Sequence, residues 1–183
     1  MVASFRRARR GEVSATFGAD EHRVFRHLLL EMRELLDGGE DSAEDDPLAR
    51  AVGIGTATEV PEDPALARLF PDGYTDDPAA SADFRRYTEP GLRSVKQARL
   101  ETALATLGEE PGKVLLTPGQ AQEWLGALND TRLVLGERLG VTEELEELVD
   151  SLPDDDPRLM LFWVYDRLTY LQETLVQALW SGA

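Results

Sequence analysis

A chain of 183 residues with 42% hydrophobic side chains can bury one sizeable core, and its 35 acidic residues against 19 lysines and arginines leave a net charge of −16. That field repels phosphate backbones and anionic membranes. The absence of cysteine excludes disulfides, thiolate zinc sites and cysteine nucleophiles.

In chain order, segments 4–8 and 12–17 flank Arg10-Gly11 and read as a β-hairpin, the second segment alternating in polarity. Asp20 to Asp37 predicts the first long helix, with Phe25, Leu28, Leu29, Met32 and Leu36 as its apolar stripe. Residues 38–46 are dense in like charge and predict a mobile acidic loop. Asp-Pro at 46–47, 63–64, 77–78 and 156–157, and Thr-Pro at 117–118, each place a capping side chain before a proline at the first helical position. The first two of these open short helices. Residues 78–87 and 90–108 read as two helices broken near Thr88-Glu89-Pro90, the second with an inner face of Leu92, Val95, Leu100, Ala103, Leu104 and Leu107. Residues 113–117 are a candidate third strand, followed by a helix from Pro118 to Leu139 and a shorter one over 142–152, stopped by Pro153. The last helix, Pro157 to Trp180, is the most hydrophobic: Met160, Val164, Leu168, Leu171, Leu175 and Leu179 form a stripe that Leu161, Phe162, Trp163 and Tyr165 broaden. The expected fold is therefore mainly α. It is a single-domain compact helical bundle around the C-terminal helix, with a small N-terminal hairpin or three-stranded sheet.

No run of residues assembles into a recognisable reaction centre. His22 and His27, the only histidines, diverge by about 140° on one helix and cannot share a metal. There is no phosphate-binding loop and no nucleophile elbow. The acidic "DDDP" at 154–157 reads as a helix cap, and "TEELEEL" at 142–148 as a solvated face. No catalytic residue, metal or cofactor is expected. No apolar run is long enough to span a membrane, and none follows the basic N-terminus as a secretory signal would, so the expected compartment is the cytoplasm.

The basic groups are the candidate interaction patch: Arg6, Arg7, Arg9 and Arg10 on the hairpin, with Arg93, Lys96 and Arg99 in the middle helices. A basic ribbon beside a basic helix resembles what a winged-helix protein offers to DNA. The competing reading is that these cations balance the acidic surface, or bind an acidic loop such as 40–46 of the same chain. In the helix 118–139, Asn129 and Arg132 interrupt an apolar pattern. With no acid of its own helix in reach, Arg132 is expected to pair with Asp166, or secondarily Glu173, of the last helix, Asn129 helping to fix the junction. Gly126 and Gly136 are expected to admit a neighbouring backbone.

Four stretches, "DPALARLFPDGY" (63–74), "DFRRYTEPGLR" (83–93), "WLGALNDTRLVLGERLGV" (124–141) and "DRLTYLQETLVQAL" (166–179), resemble an uncharacterised actinobacterial family, a domain of unknown function. Members are often encoded beside the adaptor that delivers N-degron substrates to the Clp protease. The resemblance implies a compact helical domain and lends no catalytic residues. The function expected is regulatory protein–protein interaction without catalysis, with a winged-helix-like transcriptional regulator as the alternative. The partner expected is another protein, a homodimer being one form of that, and neither nucleic acid nor a membrane.

Overall fold

The computed structural model describes residues 2–38, 59–74, 76–142, 145–153 and 155–181. Nearly all of the acidic run 38–46, and the short helix expected after Asp46, lie outside the described residues. Strands β1 (Arg6–Arg7) and β2 (Val13–Thr16) form the hairpin, and helix α1 (Ala19–Asp37) follows. Helices α2 (Pro64–Leu69) and α3 (Pro78–Leu107), strand β3 (Lys113–Leu116), and helices α4 (Pro118–Leu139), α5 (Leu145–Asp150) and α6 (Arg158–Trp180) complete the order. The sheet is antiparallel in the order β1-β2-β3, so the expected third strand pairs with the inner hairpin strand. The architecture is mainly helical with a small sheet.

The caps form as their residue types dictate. Asp63 accepts from the Ala65 N–H at 2.8 Å, Asp77 from Ala80 at 3.0 Å, and Thr117 forms a reciprocal capping box with Gln120. Asp156 accepts both the side chain and the backbone N–H of Arg158, which hold its carboxyl below the ordinary carboxylate range.

Within that architecture several details differ from expectation. The helix that touches most of its neighbours is α4, which packs against α6, α3, α2, α1 and β3; α6 lies along one side of it and supports β1 and β2. Leu168, Leu171 and Leu175 are fully buried as the stripe requires, but Met160, Leu161 and Trp163 at the start of α6 face solvent, Met160 at 64% exposure. The break near Pro90 does not occur: α3 runs unbroken through it. Its first half buries Ser81, Arg85, Glu89 and Arg93, a polar stripe at four-residue spacing, while Leu92 and Val95 point outward.

The sheet rests on aromatic rings. Phe5 packs edge-on to Trp124 at 5.5 Å, Phe17 lies tilted against Trp124 at 5.9 Å, and Phe25 packs edge-on to Phe17 at 5.8 Å. The Trp124 indole N–H donates to Thr106 at 2.7 Å, so this buried ring leaves no polar atom unmatched. Truncating Leu171 to Ala is expected to cost about 2–5 kcal/mol in urea denaturation, and Met160→Ala within about 0.5 kcal/mol of zero. Equal costs at the two positions would mean that the two ends of α6 are packed alike, contrary to this burial.

Candidate interaction surface

The arrangement of charge singles out one surface. The strongest charge cluster is internal. Arg85 donates to the Phe70 carbonyl at 2.9 Å, to Asp72 at 2.6 Å and to one oxygen of Glu89 at 3.2 Å. Arg93 donates to the other Glu89 oxygen at 2.7 Å and to the Leu36 carbonyl at 2.6 Å, with its guanidinium 4.6 Å above the Phe70 ring. Arg85, Glu89 and Arg93 are 4%, 6% and 8% exposed. Leu36 lies in the last turn of α1 and Phe70 is the C-cap of α2, so each arginine closes the carbonyl end of a helix. The ladder spans Pro90 from both sides, which holds Glu89 helical where a residue before proline ordinarily turns extended. Ser81 joins the same face by exchanging hydrogen bonds with the backbone of Tyr74.

Arg93, Lys96 and Arg99 therefore leave the candidate patch. Arg93 is buried in the ladder, Lys96 meets the buried carboxylate of Asp130 at 2.7 Å, and Arg99 lies against Gly126 with its Nε 3.7 Å from Glu123. A basic helix beside the hairpin is not presented. The physical reason is that these cations point toward α1, α2 and α4, where carboxylates and carbonyls await them.

Arg132 also departs from expectation. Asp166 and Glu173 are both exposed, and among the described residues neither pairs with it. Arg132 instead donates to the Gln172 amide oxygen at 3.4 Å and lies 5.8 Å from the Tyr165 ring. Half-exposed, it keeps enough water to need no carboxylate, and Asn129, also half-buried, takes no part. The buried charge of α4 is Asp130, which the sequence pattern did not single out for pairing. Gly126 and Gly136 admit side chains, not backbone: a Cβ at Gly126 would sit 2.6 Å from Arg99, and one at Gly136 3.2 Å from Tyr165.

What remains is the sheet. Among the described residues, Arg6, Arg7, Arg9, Arg10, Arg68, Lys113 and Arg132 have no carboxylate within ion-pair distance, and five of these seven lie on the hairpin or β3. The hairpin is held firmly in place. Glu21 accepts the Ala3 N–H at 3.0 Å, Arg167 donates to the Ala3 carbonyl and to Glu21, both at 2.9 Å, and the Phe5 N–H donates to Thr174 at 3.1 Å. His22 is buried beneath, its ring N–H meeting the Gly108 carbonyl at 3.2 Å, and His27 pairs with Glu31 on the surface. Among the described residues, no group of three histidines or carboxylates is placed to hold a metal ion.

Comparison with known proteins locates the chain. The model of a domain of unknown function, DUF2017, matches residues 2–179. The chain belongs to the DUF2017 family. It is 35% identical over 173 residues to the oxidative stress regulator AosR of Mycobacterium tuberculosis, covering 87% of this chain and 78% of that protein, and the AosR of Mycobacterium bovis matches to the same extent. The Mycobacterium leprae protein of that name is 37% identical over 170 residues, 85% of this chain and 77% of its own length. No solved structure matches. Two stretches that carried the resemblance, 63–74 and 83–93, meet in the Arg85–Glu89–Arg93 ladder of this DUF2017 protein.

Glu89→Ala would strand two buried guanidinia and is expected to cost about 3–5 kcal/mol, whereas replacing Arg85, Glu89 and Arg93 together by apolar residues of similar size recovers much of that loss. Chemical denaturation of the single and triple variants measures both. Arg132→Met, by contrast, is expected to cost less than about 1 kcal/mol, because no buried charge is left behind; a loss of several kcal/mol would reinstate a buried ion pair there.

Proposed function

We infer that this protein is a non-catalytic cytoplasmic regulator that acts by binding another protein, within the oxidative-stress response for which its mycobacterial relatives are named. The observation that carries the reading is the similarity to the M. tuberculosis oxidative stress regulator along 87% of this chain. The distribution of charge supports it: Arg85, Arg93 and Lys96 of the middle helix are consumed by internal pairs, and five of the seven unpaired cations among the described residues lie on the hairpin or β3. No helix among the described residues is long and apolar enough to cross a membrane. A link to Clp-dependent proteolysis rests on genomic association alone.

These 183 residues contain no cysteine, so an oxidant signal that uses them does not use their own thiol.

A second reading, a winged-helix-like transcriptional regulator, draws on the four unpaired hairpin arginines. Against it stands the net charge of −16, which opposes approach to a duplex of about one negative charge per 1.7 Å.

Deleting the gene in the native bacterium and challenging with peroxide tests the first reading. Expected is lowered survival with an altered stress transcript profile, both restored by the full chain. A deletion strain that matches its parent in survival and transcripts would sink the regulatory reading. Duplex binding at physiological salt that weakens steeply with added salt, and disappears when Arg6, Arg7, Arg9 and Arg10 are replaced, would select the second.

A further inference from the structure

The free cations of the sheet have an arrangement, not merely an abundance. Arg6, Ser14 and Leu115 stand in register across the three strands, and Thr16 stands opposite Lys113. The alternate residues Val13, Ala15, Val114 and Leu116 are buried on the aromatic cluster, so the first set forms the outer face. Leu115, 47% exposed, is thus an apolar spot with Arg6 two strands away in its row and Lys113 two residues along its strand.

The hairpin tip adds Arg9 and Arg10. Its Ala8 N–H donates to the Glu12 carbonyl at 2.7 Å, closing a short loop in which Arg10 has φ 58° and ψ 27°. That left-handed conformation favours Gly or Asn, and Arg adopts it at a cost. A strained tip that still carries a long cation, held over a sheet pinned by Glu21, Arg167 and Thr174, suits a role that needs the cation there.

We propose that the outer face of β1-β2-β3 and its Arg9-Arg10 tip form a docking site for an acidic peptide segment of a partner protein, one that sets an apolar side chain on Leu115 and carboxylates on Arg6, Arg9, Arg10 and Lys113. This rests on the protein-binding reading above and specifies its surface. Three observations favour an acidic peptide over a duplex. The net charge of −16 penalises an extended polyanion far more than a short carboxylate cluster that meets only the local field. The exposed leucine on the β3 edge has nothing to contact on a phosphate backbone, whereas it suits the apolar anchor of a peptide. The cationic face is also short, with two residues in β1 and four each in β2 and β3.

The test is fluorescence anisotropy of the full chain with a labelled peptide of glutamates around one leucine, the same peptide with serine for the leucine, and a duplex DNA. Expected is saturable binding of the leucine peptide that weakens as salt rises, with the duplex bound more weakly at every salt concentration. Replacing Arg6, Arg7, Arg9 and Arg10 by Ser should weaken the peptide by at least about tenfold, and Leu115→Ser should remove the preference for the leucine peptide. All five side chains are exposed, so the thermal midpoint of each variant should stay that of the parent. No saturable binding, binding unchanged in the arginine variant, or a duplex bound more tightly than the peptide would overturn the proposal. So would a concentration-dependent dimer that the arginine variant loses, since it would assign the face to a second copy. Failure here leaves the deletion phenotype untouched, which separates loss of this site from loss of the regulatory role.

Discussion

The arrangement of the helices depends on one buried ionic ladder. A carboxylate and two guanidinia withdrawn from water lose several kcal/mol of hydration each, and an isolated pair seldom regains it. Here each group has more than one partner. Glu89 gives one oxygen to each arginine, Arg93 reaches the Leu36 carbonyl, and Arg85 reaches the Phe70 carbonyl and Asp72. The carbonyl end of a helix carries negative partial charge and orphan acceptors, so two helix ends supply most of what one glutamate leaves unmatched, the buried Arg85 Nε alone in the ladder keeping no partner. The ladder orients α1 and α2 on α3. Because β2 leads directly into α1, it orients the sheet as well.

Legibility in the sequence followed the physics each signal reports. Capping side chain followed by proline located helix starts well, since that pairing is local and needs no tertiary context: Asp63, Asp77 and Thr117 all cap as expected. Apolar periodicity found α1 and the buried leucines of α6, where burial and hydrophobicity coincide. It failed on the first half of α3 because the face that enters the interior there is Ser81, Arg85, Glu89 and Arg93, and a count of apolar residues cannot see a buried polar stripe. The proline rule failed at the same place for a related reason: a break predicted from local sterics was overridden by ion pairs four residues apart on either side of Pro90.

Hydrophobicity and number of neighbours do not coincide in this bundle. Helix α6 is richer in large apolar residues, yet α4 is the helix others surround. Ala121, Ala127 and the two glycines let neighbours approach α4 from several directions, and Arg99 and Tyr165 occupy the space that Gly126 and Gly136 leave. The Arg132 expectation failed because it assumed that a cation in an apolar helix must be buried. The geometry instead lays the side chain along Tyr165 toward Gln172, partly in water.

A structural reason for the sheet cations has to be weighed against a functional one. β1 and β3 are the edge strands, and positive charge on a short edge is a known guard against strand-to-strand aggregation. That accounts for Arg6, Arg7 and Lys113. It does not account for Arg9 and Arg10, which lie beyond the ladder, where no backbone hydrogen bonds are offered to a neighbouring chain by the sheet. Nor does it account for an arginine at a position whose backbone favours glycine. Edge protection would be served equally with glycine in place of Arg10 and the same strands. The tip arginines are the part of the charge pattern that the fold does not require, and in a protein of net charge −16 they stand without an ion-pair partner among the described residues, available to an external anion.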